Sequence, residues 1–277
     1  MNVQSNELVL PENRAVRLWL GFGSTTAVLL LITAVLAPRS VGVAQFDEDV
    51  MASMSALRNP VLTRVAQVIT DLGSYRPVTA VSIGLAIVLA YRTRRLLEPV
   101  VLLVAVEAAS SLVEVLKVVI HRARPPMEGM LGAPVFDYSF PSGHTASSTV
   151  LCILGALLLA VTERWSSARR LLVATVGCLV AGLIGLSRVY LGYHWLTDVV
   201  GAWLLAMILI SIGMVFVIAN QHPDWDAVVP DMVAPREDSS RVPALMSVAD
   251  RTGRLVRSWS VGEPDSLMPQ THRVLHR

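Results

Sequence analysis

Three short segments hold the side chains whose types and spacing suit chemistry. Lys117 and Arg124 stand seven positions apart, with Pro125 fixing the second; Ser142, Gly143 and His144 follow Pro141; and Arg188, His194 and Asp198 lie within the run Ser187 to Asp198. Fixed cations hold an anion, and a histidine beside a carboxylate can present one ring nitrogen as an electron pair. Together these residues suit the binding of a phosphate dianion and the cleavage of its ester without a metal.

Each segment also has a plainer reading. Lys117, the only lysine of the chain, would by itself be a snorkelling side chain at a helix end; Arg124 nearby turns it toward an anion site. Pro141-Ser142-Gly143 would be an ordinary turn with a serine cap, but His144 and the helix start that follows make it a phosphate cradle, because first-turn amides are free and the helix end is partly positive. His194 and Asp198, at i and i+4, share a helix face, so the carboxylate can accept the imidazole N–H and fix the tautomer; alone they would be a capped helix start with a structural pair. Arg188 adds a planar fork of donors. Glu107 and Glu114 lie on one face of a single apolar run, where carboxylates pair with a partner, and a positioning role with Glu114 against Lys117 is expected. Tyr190, Tyr193 and Trp195 read as an interfacial aromatic belt.

The elements that must position these residues are membrane spans. Of 277 residues 53% are apolar and only 16% charged, where a soluble domain would carry about a quarter. Apolar runs mark six crossings near Trp19–Leu36, Val78–Tyr91, Val100–Ile120, Thr145–Val161, Leu171–Leu186 and Trp195–Ala219. The expected fold is all-α: a polytopic bundle of six transmembrane helices, with an outer interfacial helix pair over Phe46–Asp71 broken at Pro60. Residues 1–220 form the membrane domain, and residues 221–277 read as a cytoplasmic tail, mostly disordered, with no chemistry assigned. The first run, preceded by Glu7 and Glu12 and lacking a good cleavage site, is read as a retained span rather than a signal peptide. Cys152 and Cys178 sit in apolar runs and indicate neither a metal site nor a disulfide.

Counting crossings places Arg14, Arg17, Arg92, Arg94, Arg95, Arg164, Arg169 and Arg170 on one side, which the positive-inside bias makes the cytoplasm. The same count puts Lys117, Arg124, His144, Arg188 and His194 together at the opposite face. Glu98 to Lys117 is 19 helical steps, about 28 Å, so Lys117 reaches the outer headgroup level.

In these three segments the chain resembles the type-2 phosphatidic acid phosphatase family, whose signature is K-x6-RP, then PSGH, then SR-x5-H-x3-D; Lys117–Pro125, Pro141–His144 and Ser187–Asp198 depart from it nowhere. The resemblance implies a metal-independent lipid phosphate phosphatase without a cofactor. His194 would be the nucleophile forming a phosphohistidine, Asp198 its orienting partner, and His144 the acid for the leaving oxygen. Lys117, Arg124, Ser142, Gly143 and Arg188 would bind the phosphoryl oxygens. The implied partners are the bilayer and a membrane lipid phosphate, not nucleic acid, with oligomeric partners left open. Polyprenyl diphosphate is the first expectation; phosphatidate or phosphatidylglycerol phosphate come next. Transfer from lipid to another acceptor, a haloperoxidase-like oxidoreductase sharing the motifs, and a non-catalytic lipid-binding or transport protein are the alternatives, the last two disfavoured by the spans and by the intact histidines and aspartate respectively.

Overall fold

The computed structural model describes residues 14–163 and 165–220; the tail at 221–277 lies outside the described residues. Those residues form helices, with no strand among them. In order they are α1 (Arg14–Leu36), α2 (Val41–Ala56), α3 (Pro60–Leu72), α4 (Tyr75–Thr93), α5 (Leu97–Ile120), α6 (Gly143–Thr149) running through a π-helical turn (Val150–Leu154) into α7 (Gly155–Thr162), α8 (Ser167–Tyr190) and α9 (Leu196–Ala219). A backbone in hydrocarbon must satisfy its own polar groups, and continuous helices do so.

Five of these segments, α1, α5, Gly143–Thr162, α8 and α9, are each long and apolar enough to cross a membrane. The sixth crossing differs from the expectation. Helices α3 and α4 are bent by 52° across a short break and pass as one span only together, so the outer helical segment and the second crossing are joined rather than separate. Pro60 does not break a helix: it opens α3, where its missing N–H costs nothing, and Asn59 Oδ1 caps that end by accepting from Leu62 N at 2.9 Å. The preceding helix begins at Val41, earlier than its apolar periodicity indicated.

The core lies where α5, the π-turn and α9 meet, built from Leu102, Val106, Ala109, Val150, Leu154, Ala206 and Ile210. Small residues set the closest approaches, as in other membrane bundles. A Cβ on Gly177 of α8 would come within 2.8 Å of Cys152 O in the π-turn, and one on Gly185 within 2.8 Å of Val199 on α9. At the arginine-bearing end, Arg92 pairs with Glu163 at 2.8 Å, fastening α4 to α7.

The cationic motif residues stand at helix ends and in the connections beyond them. Helix α5 stops because His121 adopts a left-handed conformation, φ 54°, while its N–H still bonds Lys117 O at 3.0 Å. Its ring stacks edge-on against Tyr138 at 4.5 Å. The chain then turns back over the bundle and delivers Arg122 and Arg124 to the same end as Lys117.

Candidate active site

Lys117 and Arg124 from the end of α5, Gly143 and His144 from the start of α6, Arg188 from the end of α8, and His194 from the α8–α9 connection line one cavity of about 470 Å³. Four helix termini far apart in sequence meet there, as the crossing count required. Ser142 is not among the lining residues: it is fully buried, and its Oγ accepts from Thr145 Oγ1 at 3.0 Å. Asp198, also fully buried, lies behind His194.

The α8–α9 connection is a tight turn. Tyr193 N and His194 N both donate to Arg188 O, at 3.0 and 3.3 Å, so the histidine and the arginine hold a fixed relation. Gly192 makes this possible with φ 81°, and a Cβ there would sit 2.3 Å from Gly129 O. Tyr190 and Tyr193 are buried rather than forming the expected aromatic belt. The Tyr193 ring packs under the Arg188 guanidinium, 4.1 Å from centroid to Cζ, while Tyr190 Oη bonds Asn59 N and Thr63 at the head of α3. Trp195 Nε1 donates to Ala123 O at 3.0 Å, tying the same turn to the loop after α5.

His194 is 2% exposed. Burial pulls its imidazole down to about 4, outweighing the upward pull of Asp198, so the ring is neutral at ordinary pH. Nδ1 faces Asp198 Oδ2 at 3.4 Å, a long and oblique contact because that oxygen already accepts from Ser139 Oγ and from Trp195 N at 2.9 Å. A carboxylate is an acceptor only, which puts the ring proton on Nδ1 and the lone pair on Nε2, 3.2 Å from Arg124 Nη1. Asp198 also caps α9 through that Trp195 bond, and its carbonyl accepts from Ser142 N at 3.2 Å, joining the α6 and α9 starts.

Arg188 is 7% exposed; Nη1 donates to Thr70 Oγ1 at 2.9 Å, and Nε is a buried donor without a hydrogen-bond partner among the described residues. Such a donor fits an anion's oxygen. Lys117 pairs with Glu114 at 2.9 Å, as expected, and with Asp137 Oδ2 at 2.6 Å. The deeper part of the cavity is polar too: Glu107, Ser110, Ser111 and Ser147 line it, with Ser110 and Ser147 hydroxyls 3.1 Å apart. Among the described residues no three His, Cys, Asp or Glu side chains are grouped to hold a metal ion.

Comparison with known proteins decides the family. Residues 98–222 match the PAP2 superfamily. The chain is 31% identical over 165 residues to phosphatidylglycerophosphatase B of Bacillus subtilis, an alignment covering 59% of this chain and 79% of that protein. The chain belongs to the PAP2 superfamily. It is a multi-pass membrane protein and a phosphoric ester hydrolase. It is also 34% identical over 120 residues to undecaprenyl-diphosphatase of Sulfolobus acidocaldarius, covering 41% of this chain and 52% of that one. Among solved structures, a transmembrane PAP2 type phosphatidylglycerolphosphate phosphatase from Bacillus subtilis superposes with a TM-score of 0.68 at 25% identity, over 73% of this chain and 98% of the other.

In this PAP2 chain the motif residues stand on a second set that sequence reasoning passed over. Arg122 lies two positions before Arg124, yet its guanidinium turns away from the cavity. It donates to Asp198 Oδ1, to Thr197 Oγ1 at 2.7 Å and to Asp47 Oδ2 on α2 at 2.6 Å. Asp47 in turn accepts from Thr197 N at 3.0 Å. Asp137, in the loop between α5 and α6, takes donors from both Lys117 and Arg124. Burial works against its charge, but the hydrogen bonds from Lys117 and Arg124 outweigh it and hold the carboxyl below its usual range.

Proposed function

We propose that this PAP2 protein releases phosphate from a lipid phosphomonoester or diphosphate whose chains stay in the bilayer, at a site on the external face, with both ends of the membrane domain toward the cytoplasm. The observation that carries the reading is the convergence of Lys117, Arg124, Arg188, His144 and His194 on one cavity at the bundle end opposite the arginine-rich loops.

His194 Nε2 attacks phosphorus, forming a P–N bond as the P–O bond to the lipid breaks, and His144 gives a proton to the departing oxygen. Water then attacks the phosphohistidine while His144 takes its proton; phosphate leaves and Nε2 regains its electron pair. Asp198 keeps the proton on Nδ1 throughout. The Arg188 fork, Lys117, Arg124 and the Gly143 amide at the first turn of α6 stabilise the charge that builds on the phosphoryl oxygens. Ser142 supports this cradle from behind through Thr145 rather than reaching the phosphate directly. The fixed cations supply the charge that a metal would otherwise contribute.

The polar lining below the cations bears on the substrate. Glu107, Ser110, Ser111 and Ser147 suit ester and hydroxyl oxygens of a glycerol backbone, while Val113, Val135 and Tyr75 in the same lining suit hydrocarbon. The longer match to a phosphatidylglycerophosphatase favours a glycerophospholipid phosphate such as phosphatidylglycerol phosphate, with polyprenyl diphosphate second.

The test is a hydrolysis panel with purified wild type and His194→Ala on phosphatidylglycerol phosphate, phosphatidate and polyprenyl diphosphate. Wild type releases phosphate from at least one lipid without added metal, and the variant loses about 10⁴-fold or more while staying folded in detergent. Normal turnover by His194→Ala overturns the nucleophile. Phosphate passed to an added alcohol acceptor in preference to water would make the protein a phosphotransferase instead.

A further inference from the structure

Two of the donors assigned above to the phosphoryl oxygens, Lys117 and Arg124, are engaged with another anion in the structure. Asp137 Oδ1 receives both Arg124 Nε at 2.9 Å and Nη2 at 2.5 Å, so a single carboxylate oxygen occupies the two donors of the fork that would otherwise meet a phosphate. Asp137 Oδ2 receives Lys117 Nζ at 2.6 Å. One carboxylate thus bridges the two cations of the first motif, as two phosphoryl oxygens would. The arrangement reaches the histidine as well. With its fork turned to Asp137, Arg124 points Nη1 at Tyr193 O, 2.7 Å away, and at His194 Nε2, 3.2 Å away, so the electron pair that must attack phosphorus is covered by a guanidinium.

Structural service alone is a poor account of this residue. Its side chain is 42% exposed, it lies in the loop outside the spans beside the 80%-exposed Phe136, and it lines the cavity. A half-exposed carboxylate on a loop can be displaced, whereas the buried Asp47 and Asp198 cannot.

The surroundings give displacement a use. A cationic pocket at headgroup depth faces a very large local excess of phosphodiester lipids, whose single negative charges would fill an undefended site. We infer that Asp137 is an internal competitor for the phosphoryl site, setting a threshold that a doubly charged phosphomonoester or diphosphate overcomes and a singly charged phosphodiester headgroup does not. A dianion replaces both ion pairs, takes over the Arg124 fork and uncovers His194. A monoanion offers less than the contacts it must break. An apparent affinity is reduced by the fraction of sites closed by such a competitor, so removing it raises the affinity of every anion and exposes the site to bystander lipids.

The inference rests on the proposed phosphatase reading, and the experiment separates the two. Orthovanadate binding to purified full-length protein in detergent, read by calorimetry, needs no turnover. Asp137→Asn and Asp137→Ala are expected to tighten vanadate binding by about tenfold. In mixed micelles they are also expected to make turnover of a lipid phosphomonoester sensitive to added phosphatidylglycerol at about one-tenth of the mole fraction that wild type tolerates. Weaker vanadate binding in both variants would show that Asp137 positions Lys117 and Arg124, and unchanged binding that it does neither; each result overturns the inference. Absence of any lipid phosphate turnover by wild type would overturn the phosphatase reading, while the vanadate arm would still report on Asp137.

Discussion

Asp198 illustrates how much of this site is built to hold one side chain still. Oδ1 accepts from Arg122, and Oδ2 from Ser139 and Trp195 N, with His194 Nδ1 3.4 Å from Oδ2. Arg122 is itself held between Asp198 and Asp47, all three buried. A buried cation between two buried carboxylates is costly to remove, because both acceptors are left uncompensated. Arg122→Met should therefore destabilise the protein by roughly 3–5 kcal/mol, measured from denaturant unfolding in detergent. Adding Asp47→Asn should recover part of that loss, since one orphaned charge goes with it; a double variant less stable than Arg122→Met alone would contradict the network. Lys117 and Arg124 obey the opposite logic. Their partners are the half-exposed Asp137 and the exposed Glu114, and exchangeable partners suit groups that must later face a substrate.

Among the elements, the five-residue connection Leu191–Trp195 between α8 and α9 is held by several contacts at once. The helices it joins carry Arg188 and Asp198, it carries His194, and Gly192 closes it against the Met127–Gly129 turn. Gly192→Ala needs a left-handed alanine and a Cβ overlapping Gly129 O, so turn and loop must separate. Displacing a reacting atom by about 1 Å can cost about 100-fold in rate, and a loss of that order in kcat, with the detergent-solubilised protein still folded, is the expected result. Unchanged kcat would mean that the turn does not set the histidine's position. The same elements show what a sequence discloses. The ends of α5, α8 and α9 were legible to within a few residues because the apolar runs give way to polar residues after Ile120, at Ser187 and before Trp195. The α3–α4 bend was not, because Val61, Val65 and Val68 repeat at helical spacing whether their helix lies along the interface or forms half of a broken span.

At the scale of the whole molecule, the crossing count made from hydropathy was enough to gather Lys117, Arg124, His144, Arg188 and His194 at one end, since a bundle allows each helix only two ends. Asp137, Asp47 and Arg122 escaped the same reasoning. Their partners lie 20, 75 and 76 positions away, in a proline-rich loop and an outer helix whose spacing carries no period to betray them. The arginines of the other end lead to the remaining consequence. Arg92, Arg94 and Arg95 close α4, Arg169 and Arg170 open α8, and Arg14 and Arg17 open α1, and the positive-inside bias is the ground for proposing that the cavity faces outward. A lipid carrying its phosphate on the outer leaflet would then reach the cations without its headgroup crossing the bilayer. Cysteine labelling tests this directly. With Cys152 and Cys178 replaced by serine, Phe136→Cys, beside the cavity, should react with a membrane-impermeant maleimide in intact spheroplasts, whereas the exposed Arg94→Cys should react only after permeabilisation. The reverse pattern would place the site in the cytoplasm and make it an enzyme of inner-leaflet lipids, with the arginine clusters outside against the charge bias.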